Sequence, residues 1–324
     1  MQSLSRTRCS VVLCTASLLF AGCGWSQAGG TVSQAIAPAL PAARSGSWML
    51  PEAKSSDLLY VGSSATNHVY VYTYPGGTLV GTLMGLDDPL GLCSDANGNV
   101  WITNADNSHG NAYIVGYAHG GTSPIATLAD SGFTPQACSV DSTTGNLAIA
   151  NQTDDVAVYR NAQGQRRLYL TSCCVYGPET ITYDGSGDAI FADWRTLSGW
   201  LPKGHSKVEK FVLQPPLSKH GPFQWDGQNL GVLTFSKARH EEEVIRYKVS
   251  GGVAHQAGTV SLNGVNVSGQ FWIQGSGIAL TAPAAGNVYF FDYPKGGNPT
   301  TTISGLKDPY GVTVSVAPSM PPNR

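Results

Sequence analysis

The sequence is short of charge and lacks the local signatures of several enzyme classes. Only 12% of its 324 residues are Asp, Glu, Lys or Arg, and the formal net charge is −2 at pH 7. A balance this even argues against electrostatic capture of nucleic acid. The sequence contains no Gly-x-Ser-x-Gly elbow, no phosphate-binding Gly-Lys-Ser/Thr loop and no dinucleotide fingerprint. Nothing therefore indicates a serine hydrolase of that type, a P-loop enzyme or a dehydrogenase.

The N-terminus lacks an apolar run long enough to cross a membrane, yet it has the layout of an export signal. Two arginines precede an uncharged stretch from Cys9 to Phe20, which is shorter than the roughly 20 apolar residues of a membrane-spanning helix. The stretch ends in Phe-Ala-Gly-Cys23, which resembles the bacterial lipobox, whose Cys is acylated. We expect residues 1–23 to be a lipoprotein signal with Cys23 as the lipidation site. Cleavage after Ala28, which would give a soluble secreted protein, is the alternative.

Two segments lack a hydrophobic period. Residues 24–56 are rich in Ala, Ser, Gly, Gln and Pro, and such a segment buries too little apolar surface to order itself. We expect it to be a flexible tether that holds the folded domain, residues 57–317, away from a membrane. Residues 318–324 are expected to be a disordered tail.

Cysteines are scarce after the signal, where Cys93, Cys138, Cys173 and Cys174 remain. Their spacing does not match a zinc site. An exported protein can oxidise them, and four cysteines allow three pairings. We rank a Cys173–Cys174 bridge below a bridge from either one to Cys138, because adjacent cysteines close a strained ring. Four buried free thiols are the alternative.

What the sequence does contain is an internal repeat. A phrase that opens on Pro in all but one copy, followed by Gly-Asn or a similar pair and an apolar run, starts at residues 89, 135, 178, 222, 270 and 309. This spacing is about the length of a four-stranded propeller blade, 40 to 45 residues. An Asp closes the first strand in four copies, and a feature repeated in this way is interpreted as a hairpin-turn residue; these are Asp95, Asp141, Asp184 and Asp226.

The chain ends complete the repeat. The last copy has room for one strand, whereas residues 58–62, 68–72 and 78–83 supply three runs typical of strands. We therefore predict an all-β fold, a six-bladed β-propeller with four antiparallel strands per blade. The C-terminal strand should join the three N-terminal strands and close the ring, which leaves no open edge at the junction.

The repeat phrase resembles a known family. Pro89-Leu-Gly-Leu-Cys-Ser-Asp, then Gly98-Asn-Val-Trp-Ile, is similar to the NHL repeat, and the resemblance covers residues 57–316. The chain resembles NHL-type propeller lipoproteins that bacteria of the acidobacterial kind export. The resemblance implies a six-bladed propeller but no one reaction, because such propellers include binding modules, gluconolactonase-like hydrolases and streptogramin lyase-like enzymes.

Residues at the start of the first strand of each blade should converge at one mouth of the central channel. The candidate ligand or metal site there consists of Asp88, Gln136, Glu179, Asp308 and Tyr310. Carboxylates such as Asp88, Glu179 and Asp308 are the oxygen ligands that Ca²⁺ prefers. The alternative for Asp88 and Asp308 is turn chemistry, since each precedes a proline.

A second candidate surface is basic. Residues 195–248 hold nine of the 19 Lys and Arg residues. Trp194, Trp200 and Trp225 lie in or near this segment and would stack on a sugar ring if exposed; solvated loops and ordinary core Trp are the alternative.

We therefore expect a monomeric, non-enzymatic binding or scaffold propeller. Lipidated Cys23 would be its only contact with the membrane and would hold it on the cell envelope. Its ligand, a protein or a carbohydrate, would sit at the channel mouth or on the face formed by residues 195–248. The alternative is a Ca²⁺-assisted, lactonase-like hydrolase that uses some of Asp88, Glu179 and Asp308 to polarise a carbonyl and orient water.

Overall fold

The computed structural model describes residues 46–105, 110–265 and 269–318, together with the backbone of residues 35–36. The expected signal with Cys23 lies outside these residues, and so does the tail from residue 319. Within the described part of the chain, no helix has the length and apolar character that crossing a membrane requires. The helical elements described are three short 3₁₀ turns, at Pro51–Lys54, Arg160–Ala162 and Pro283–Ala285.

The first five strands of the chain are β1 Ala35–Ile36, β2 Trp48–Met49, β3 Leu58–Ser63, β4 His68–Thr73 and β5 Leu79–Leu83. Four of them, β2 to β5, belong to the first sheet, whereas β1 joins a later one. β3, β4 and β5 form an antiparallel meander, and β2 pairs with the outer edge of β5.

Part of the segment expected to be a tether is thus folded onto this sheet. Trp48, Met49 and Leu50 form an apolar run at the end of an otherwise small and polar segment, and Ala53 is fully buried. Burial of these side chains gives the segment a reason to order. The folded domain therefore begins before residue 57.

Two regular four-stranded sheets follow. Their strands are β6 Pro89–Ser94, β7 Val100–Asn104, β8 Tyr113–Tyr117, β9 Pro124–Ala129, β10 Pro135–Val140, β11 Leu147–Asn151, β12 Asp155–Tyr159 and β13 Arg166–Leu170. Each sheet is antiparallel in chain order. Asp95 Oδ1 accepts the backbone N–H groups of Asn97 and Asn99, both at 2.9 Å. This confirms the turn interpretation of the repeated Asp.

The next eight strands form one sheet. They are β14 Thr180–Tyr183, β15 Ala189–Ala192, β16 Ser198–Leu201, β17 Glu209–Gln214, β18 Phe223–Trp225, β19 Leu230–Ser236, β20 Glu241–Ser250 and β21 Val253–Leu262. β14–β17 and β18–β21 are each antiparallel meanders, and β17 pairs in parallel with β21. The sequence predicted two separate blades here. The sheets join because the ten-residue strands β20 and β21 are long enough to reach the edge of β17.

The last strands return to the beginning of the chain. They are β22 Phe271–Gln274, β23 Gly277–Ala282, β24 Asn287–Asp292, β25 Thr301–Ile303 and β26 Pro309–Ser315. β22–β25 form an antiparallel sheet that β1 extends in parallel. β26 instead pairs antiparallel with β3, so that Val312 lies opposite Val61. The predicted closure by the C-terminal strand is therefore confirmed.

The sheets are arranged like the blades of a propeller. β6, β10, β14, β18, β22 and β26 stand at sheet ends, and we call them the inner strands. Each packs beside the next, and β26 packs against both β22 and β6. Apolar clusters fill the space between consecutive groups of strands; one joins Tyr60 to Ile102, and another joins Ile149 to Trp101. Burial of these faces is the main stabilising contribution.

Side chains also tie neighbouring inner strands together. Three of these ties are short hydroxyl bonds: Ser94 Oγ to Val314 O at 2.7 Å, Tyr183 N to Ser139 Oγ at 3.0 Å, and Phe223 N to Thr180 Oγ1 at 2.6 Å. Two more come from glutamines. Gln224 bonds both backbone groups of Ile273. Gln270 Oε1 accepts Val312 N at 3.2 Å and Leu92 N at 3.1 Å.

A disulfide makes the remaining tie, between β6 and β10. Cys93 bonds Cys138, with their Cα atoms 5.7 Å apart. Cys173 bonds its neighbour Cys174 in the loop before β14. The preference for a bridge from this pair to Cys138 is therefore wrong, because the packing of β6 beside β10 gives Cys138 a different partner.

Candidate functional site

The five predicted site residues all lie where the inner strands begin, an end of the ring that we call the entry mouth. Gln136 and Tyr310 are the second residues of β10 and β26. Asp88, Glu179 and Asp308 immediately precede β6, β14 and β26. The start of each inner strand therefore sets the position of one of these side chains.

Three of the five surround a small pocket. Gln136, Glu179 and Tyr310 line a cavity of about 30 Å³. Glu179 Oε1 accepts a hydrogen bond from Gln152 Nε2 at 3.0 Å. Burial raises the pKa of Glu179, and the Asp193 carboxylate adds to that shift. Burial also raises the pKa of Tyr310, so both groups hold their protons more tightly than they would in water.

Asp88 and Asp308 are turn residues with left-handed backbone conformations, at φ 52° and 46°. The N–H of Asp88 donates to Asn67 Oδ1 at 3.0 Å, and Asp308 Oδ2 accepts from Ser64 Oγ at 2.6 Å. Burial raises the pKa of Asp88, and the carboxylates of Asp87 and Asp308 raise it further. These contacts favour the turn interpretation.

The three carboxylates considered for Ca²⁺ differ in their surroundings: Asp88 interacts with Asp308, whereas Glu179 lines the small pocket with Tyr310, which interacts with both Glu179 and Asp308. Across the described ranges, no group of three or more His, Cys, Asp and Glu side chains is arranged to hold a metal ion. Ca²⁺ takes about six to eight oxygen ligands. A calcium ion at this mouth would therefore need oxygen ligands in addition to Asp88, Glu179 and Asp308.

A larger cavity, which we call the entry cleft, opens beside the small pocket. Its volume is about 390 Å³, within the range of small-molecule sites. The cleft lies where the entry mouth meets the basic segment 195–248. Its lining residues are Trp194, Ser218, Lys219, His220, Gly221, Pro222, Leu233, Thr234, Phe235, Lys237, Glu242, Gly269 and Tyr310.

Two large aromatic side chains of the cleft face solvent. Trp194 is 52% exposed and Phe235 is 40% exposed. Trp194 sits in a turn after β15 in which Asp193 Oδ1 accepts the N–H groups of Arg195 and Leu197, both at 3.0 Å. This Asp turn holds the indole outside the core. The cleft therefore offers aromatic surface to the solvent.

A lysine and a histidine add polar chemistry to the cleft. Lys219 Nζ lies 5.8 Å from the centroid of the Trp194 ring, a cation–π distance. His220 is 3% exposed, and its Nδ1 has no hydrogen-bond partner among the described residues. Burial lowers the pKa of His220, although the Asp193 carboxylate acts in the opposite direction. Burial therefore favours the neutral form of the ring.

The opposite end of the ring, the exit mouth, holds a separate cavity of about 320 Å³. Trp225 and Gln274 line it, together with Asp226. Arg246 Nε lies 3.2 Å from Asp226 Oδ2, to which Tyr293 also donates a hydrogen bond. Burial alone would raise the pKa of Asp226, but the hydrogen bond from Tyr293 and its other partners keep it below the usual range.

Side chains separate the two mouths. Ile181, Phe223 and Gln270 line both the exit cavity and the 30 Å³ pocket of the entry mouth. Gln270 is also fixed by its bonds to the neighbouring strands. The two cavities therefore adjoin across these three side chains, and each mouth presents its own set of other residues.

Sequence reasoning named only part of the entry cleft. It singled out Trp194, but it gave Trp200 and Trp225 the same role, and the structure puts Trp225 at the exit mouth. It did not single out Lys219, His220 and Phe235. His220 and Gly221 stand directly before the repeat start at Pro222, and that position was the available signal that they lie at the mouth.

Comparison with known proteins shows the fold alone. No family model matches this chain, and no curated protein matches it. A chain of a nidogen/laminin complex aligns with a TM-score of 0.64 at 15% identity, over 81% of this chain and 99% of that one. A functionally unknown protein from Desulfotomaculum acetoxidans aligns at 0.55 and 12%, over 84% and 89%. A candidate 6-phosphogluconolactonase from Bacteroides fragilis aligns at 0.51 and 12%, over 82% and 99%. These similarities support a β-propeller.

Proposed function

We propose that this chain is a non-enzymatic binding propeller whose ligand is a carbohydrate held in the entry cleft. The observation that carries the proposal is the exposed indole of Trp194 at the wall of a 390 Å³ cavity. A cavity of this size accepts a small molecule or a short oligomer. An indole face packs well against the apolar face of a sugar ring.

The side chains around the cleft support binding rather than catalysis. Glu179 is hydrogen-bonded to Gln152, and Asp308 is hydrogen-bonded to Ser64. The partner of Glu179 is an amide, which is not a nucleophile, and no described histidine is hydrogen-bonded to the Ser64 hydroxyl as a base that could activate it. The alternative, a Ca²⁺-assisted lactonase-like hydrolase, requires a cation to gather these groups. A rise in Tm with CaCl₂ that Glu179→Ala abolishes would favour that alternative.

We further infer that the ring counts six blades. Six inner strands follow one another around the hub, with a tie at each junction. The eight-stranded sheet divides into two meanders of four strands. On this count β26 and β3–β5 make one blade, and β2 is an addition to its outer edge.

Binding is tested with polysaccharides that differ in their sugars. The full-length chain is incubated with insoluble peptidoglycan, chitin, cellulose and pectin, and the bound fraction is measured after sedimentation. We expect retention on at least one of these polymers, and we expect Trp194→Ala to lose it. Trp225→Ala at the exit mouth is the matched control and should keep it. Retention that is the same in parent and Trp194→Ala would refute the site, and released sugar products would refute the non-enzymatic role.

Anchoring to the cell envelope through Cys23 is the second part of the proposal. Its support is the lipobox-like phrase Phe-Ala-Gly-Cys23. Expressed in a bacterium, the parent should partition into the detergent phase of Triton X-114, and Cys23→Ser should move it to the aqueous phase. Aqueous partitioning of the parent would indicate the alternative, a soluble secreted protein.

A further inference from the structure

The charged side chains of the entry cleft indicate which class of ligand it would bind. Its exposed charges are cationic: Lys219 and Lys237 are both solvent-exposed, whereas the cleft's own carboxylate, Glu242, is 6% exposed. Within the described residues, neither lysine is ion-paired to a carboxylate. Lys219 interacts with the Glu179 carboxylate at longer range, so a ligand that brings an anionic group to this wall would meet positive charge that is only partly neutralised.

One cation is held directly at the aromatic platform. Lys219 Nζ is 5.8 Å from the ring centroid of Trp194. A sugar ring that stacks on the indole therefore carries its substituents past this ammonium group. A carboxylate on the ring would form a charge-assisted hydrogen bond there, which is stronger than a bond from a neutral hydroxyl.

His220 adds a requirement for a hydrogen-bond donor. Its ring lies in the cleft wall beside Phe223, with the two ring centroids 5.8 Å apart. Hydrogen bonds with the backbone of Leu197 and Asp193 oppose the lowering of its pKa, and Nδ1 is the ring atom without a partner. In the neutral ring that atom accepts a hydrogen bond. A ligand hydroxyl is a donor of the right kind.

We propose that the entry cleft selects an acidic saccharide, with a uronic acid ring stacked on Trp194, its carboxylate beside Lys219 and a hydroxyl group beside His220. This inference rests on the proposed binding function and narrows the class of sugar. A sulfated neutral sugar would supply the same negative charge from a different group, and the experiment includes it as a separate arm.

The test uses matched ligands that differ only in charge. Isothermal titration of the full-length chain with trigalacturonate and with a hyaluronan tetrasaccharide covers two uronic acids. The methyl ester of trigalacturonate keeps the ring and removes the carboxylate charge. We expect at least one of the two acids to bind, and we expect methyl esterification to weaken binding of trigalacturonate about tenfold or more. The affinity should also fall as NaCl is raised from 50 to 500 mM.

Variants locate the charge recognition. Lys219→Ala should weaken binding of the acid about tenfold while leaving the methyl ester unchanged. Lys210→Ala, an exposed lysine of β17 outside the cleft, is the matched control and should change neither. Both lysines are exposed, so near-UV circular dichroism should show both variants folded.

The outcomes separate this inference from the proposed function. Equal affinity for acid and methyl ester, with both lost in Trp194→Ala, would keep the binding site and overturn the acidic selectivity. Binding of a sulfated galactotriose but of neither uronic acid would overturn the carboxylate assignment. Failure of every uronic acid to bind, while Trp194→Ala still abolishes retention on an insoluble neutral polymer, would overturn the inference and leave the function standing.

Discussion

The two regular sheets, β6–β13, and the eight-stranded sheet, β14–β21, come from copies of one repeat but differ in what they contribute. The regular sheets have four strands each, and a disulfide joins their inner strands. The eight-stranded sheet has longer outer strands, and this sheet together with its loops supplies most of the residues that line the entry cleft.

The difference shows how a repeat protein divides its tasks. Every copy keeps an inner strand that is tied to its neighbours, because the ring fails if one junction opens. The loops and outer strands are free to lengthen, because solvent rather than a neighbouring sheet faces them. On the proposed function, the residues that would recognise a ligand lie where the repeat has departed most from its pattern.

The largest expected loss of stability follows removal of the regular sheets' disulfide. Cys93 and Cys138 are 45 residues apart in sequence, and in the chain-entropy account closing such a loop stabilises the folded state by about 4 kcal/mol. We expect the double Ser variant to lose that amount in urea unfolding. The Cys173–Cys174 bridge joins adjacent residues, so its double Ser variant should lose less than about 1 kcal/mol. Equal losses would contradict this ranking.

The methyl group added by a Gly→Ala substitution should destabilise the protein in an inner strand but not in an outer strand. A Cβ added at Gly91 would lie 2.5 Å from Gln136 O and 2.6 Å from Ala137 Cα. These are backbone atoms of β10 and cannot move aside, so Gly91→Ala should cost about 3 kcal/mol. A Cβ at Gly258 in β21 meets nothing within 4 Å. Gly258→Ala should stay within about 0.5 kcal/mol in the same thermal melts, and a similar loss in both would refute the comparison.

The stability contributed by Asp130 should depend on pH. This carboxyl group follows β9 and is fully buried; Tyr159 donates to it at 3.1 Å, and Arg166 Nε lies 3.4 Å away. Burial raises the pKa of Asp130 to about 6. The folded state therefore binds the proton more tightly than the unfolded state does. The stability from this group is complete below the unfolded pKa, near 4, and is lost as pH rises through 6.

Between pH 4.5 and pH 7.5 the parent should therefore lose about 2 kcal/mol of its free energy of unfolding through this group, and Asp130→Asn should not show that loss. Asp141 is the control of opposite sign: despite its burial, hydrogen bonds from Thr144 and Thr143 lower its pKa, so its contribution is lost as pH falls. Urea midpoints at the two pH values are measured for Asp130→Asn and for the control Asp141→Asn. A parent-like pH slope in Asp130→Asn would show that this group does not titrate in that window.

The smallest change in stability is expected at the ligand platform itself. Trp194 is 52% exposed, so Trp194→Ala removes few core contacts and should change the free energy of unfolding by no more than about 0.5 kcal/mol. Trp101 in β7 is 4% exposed, and Trp101→Ala should cost about 3 kcal/mol or more. A large loss at Trp194 would mean that this indole supports the fold rather than a ligand.

Much of the fold could be read from the sequence because the repeat phrase marks each inner strand. Pro89, Pro135 and Pro309 begin their strands at the predicted residues, and the starts at 178, 222 and 270 lie within two residues of theirs. The pairing of β17 with β21 could not be predicted from the sequence, because it depends on how far the β20–β21 hairpin extends beyond the other strands of its meander. The pairing of Cys93 with Cys138 likewise depends on contact between two sheets.

The candidate site could be predicted from the sequence only in part. The position of a strand start predicts which residues share a mouth, and the structure puts Glu179 and Tyr310 there together. Sequence position does not say which tryptophan is exposed, so Trp194 and Trp225 were indistinguishable. Lys219 and His220 lie in the irregular loop before β18. The repeat pattern does not extend into this loop, so it could not predict where these side chains lie.

Hydrogen exchange of the full-length chain with and without trigalacturonate tests the central claim most directly, since it compares the two mouths in one experiment. We expect trigalacturonate to slow exchange in segments 194–197, 218–222 and 233–237 and to leave it unchanged in segments 224–226 and 272–275. Protection confined to the second set, or equal protection of both, would contradict a ligand site at the entry mouth.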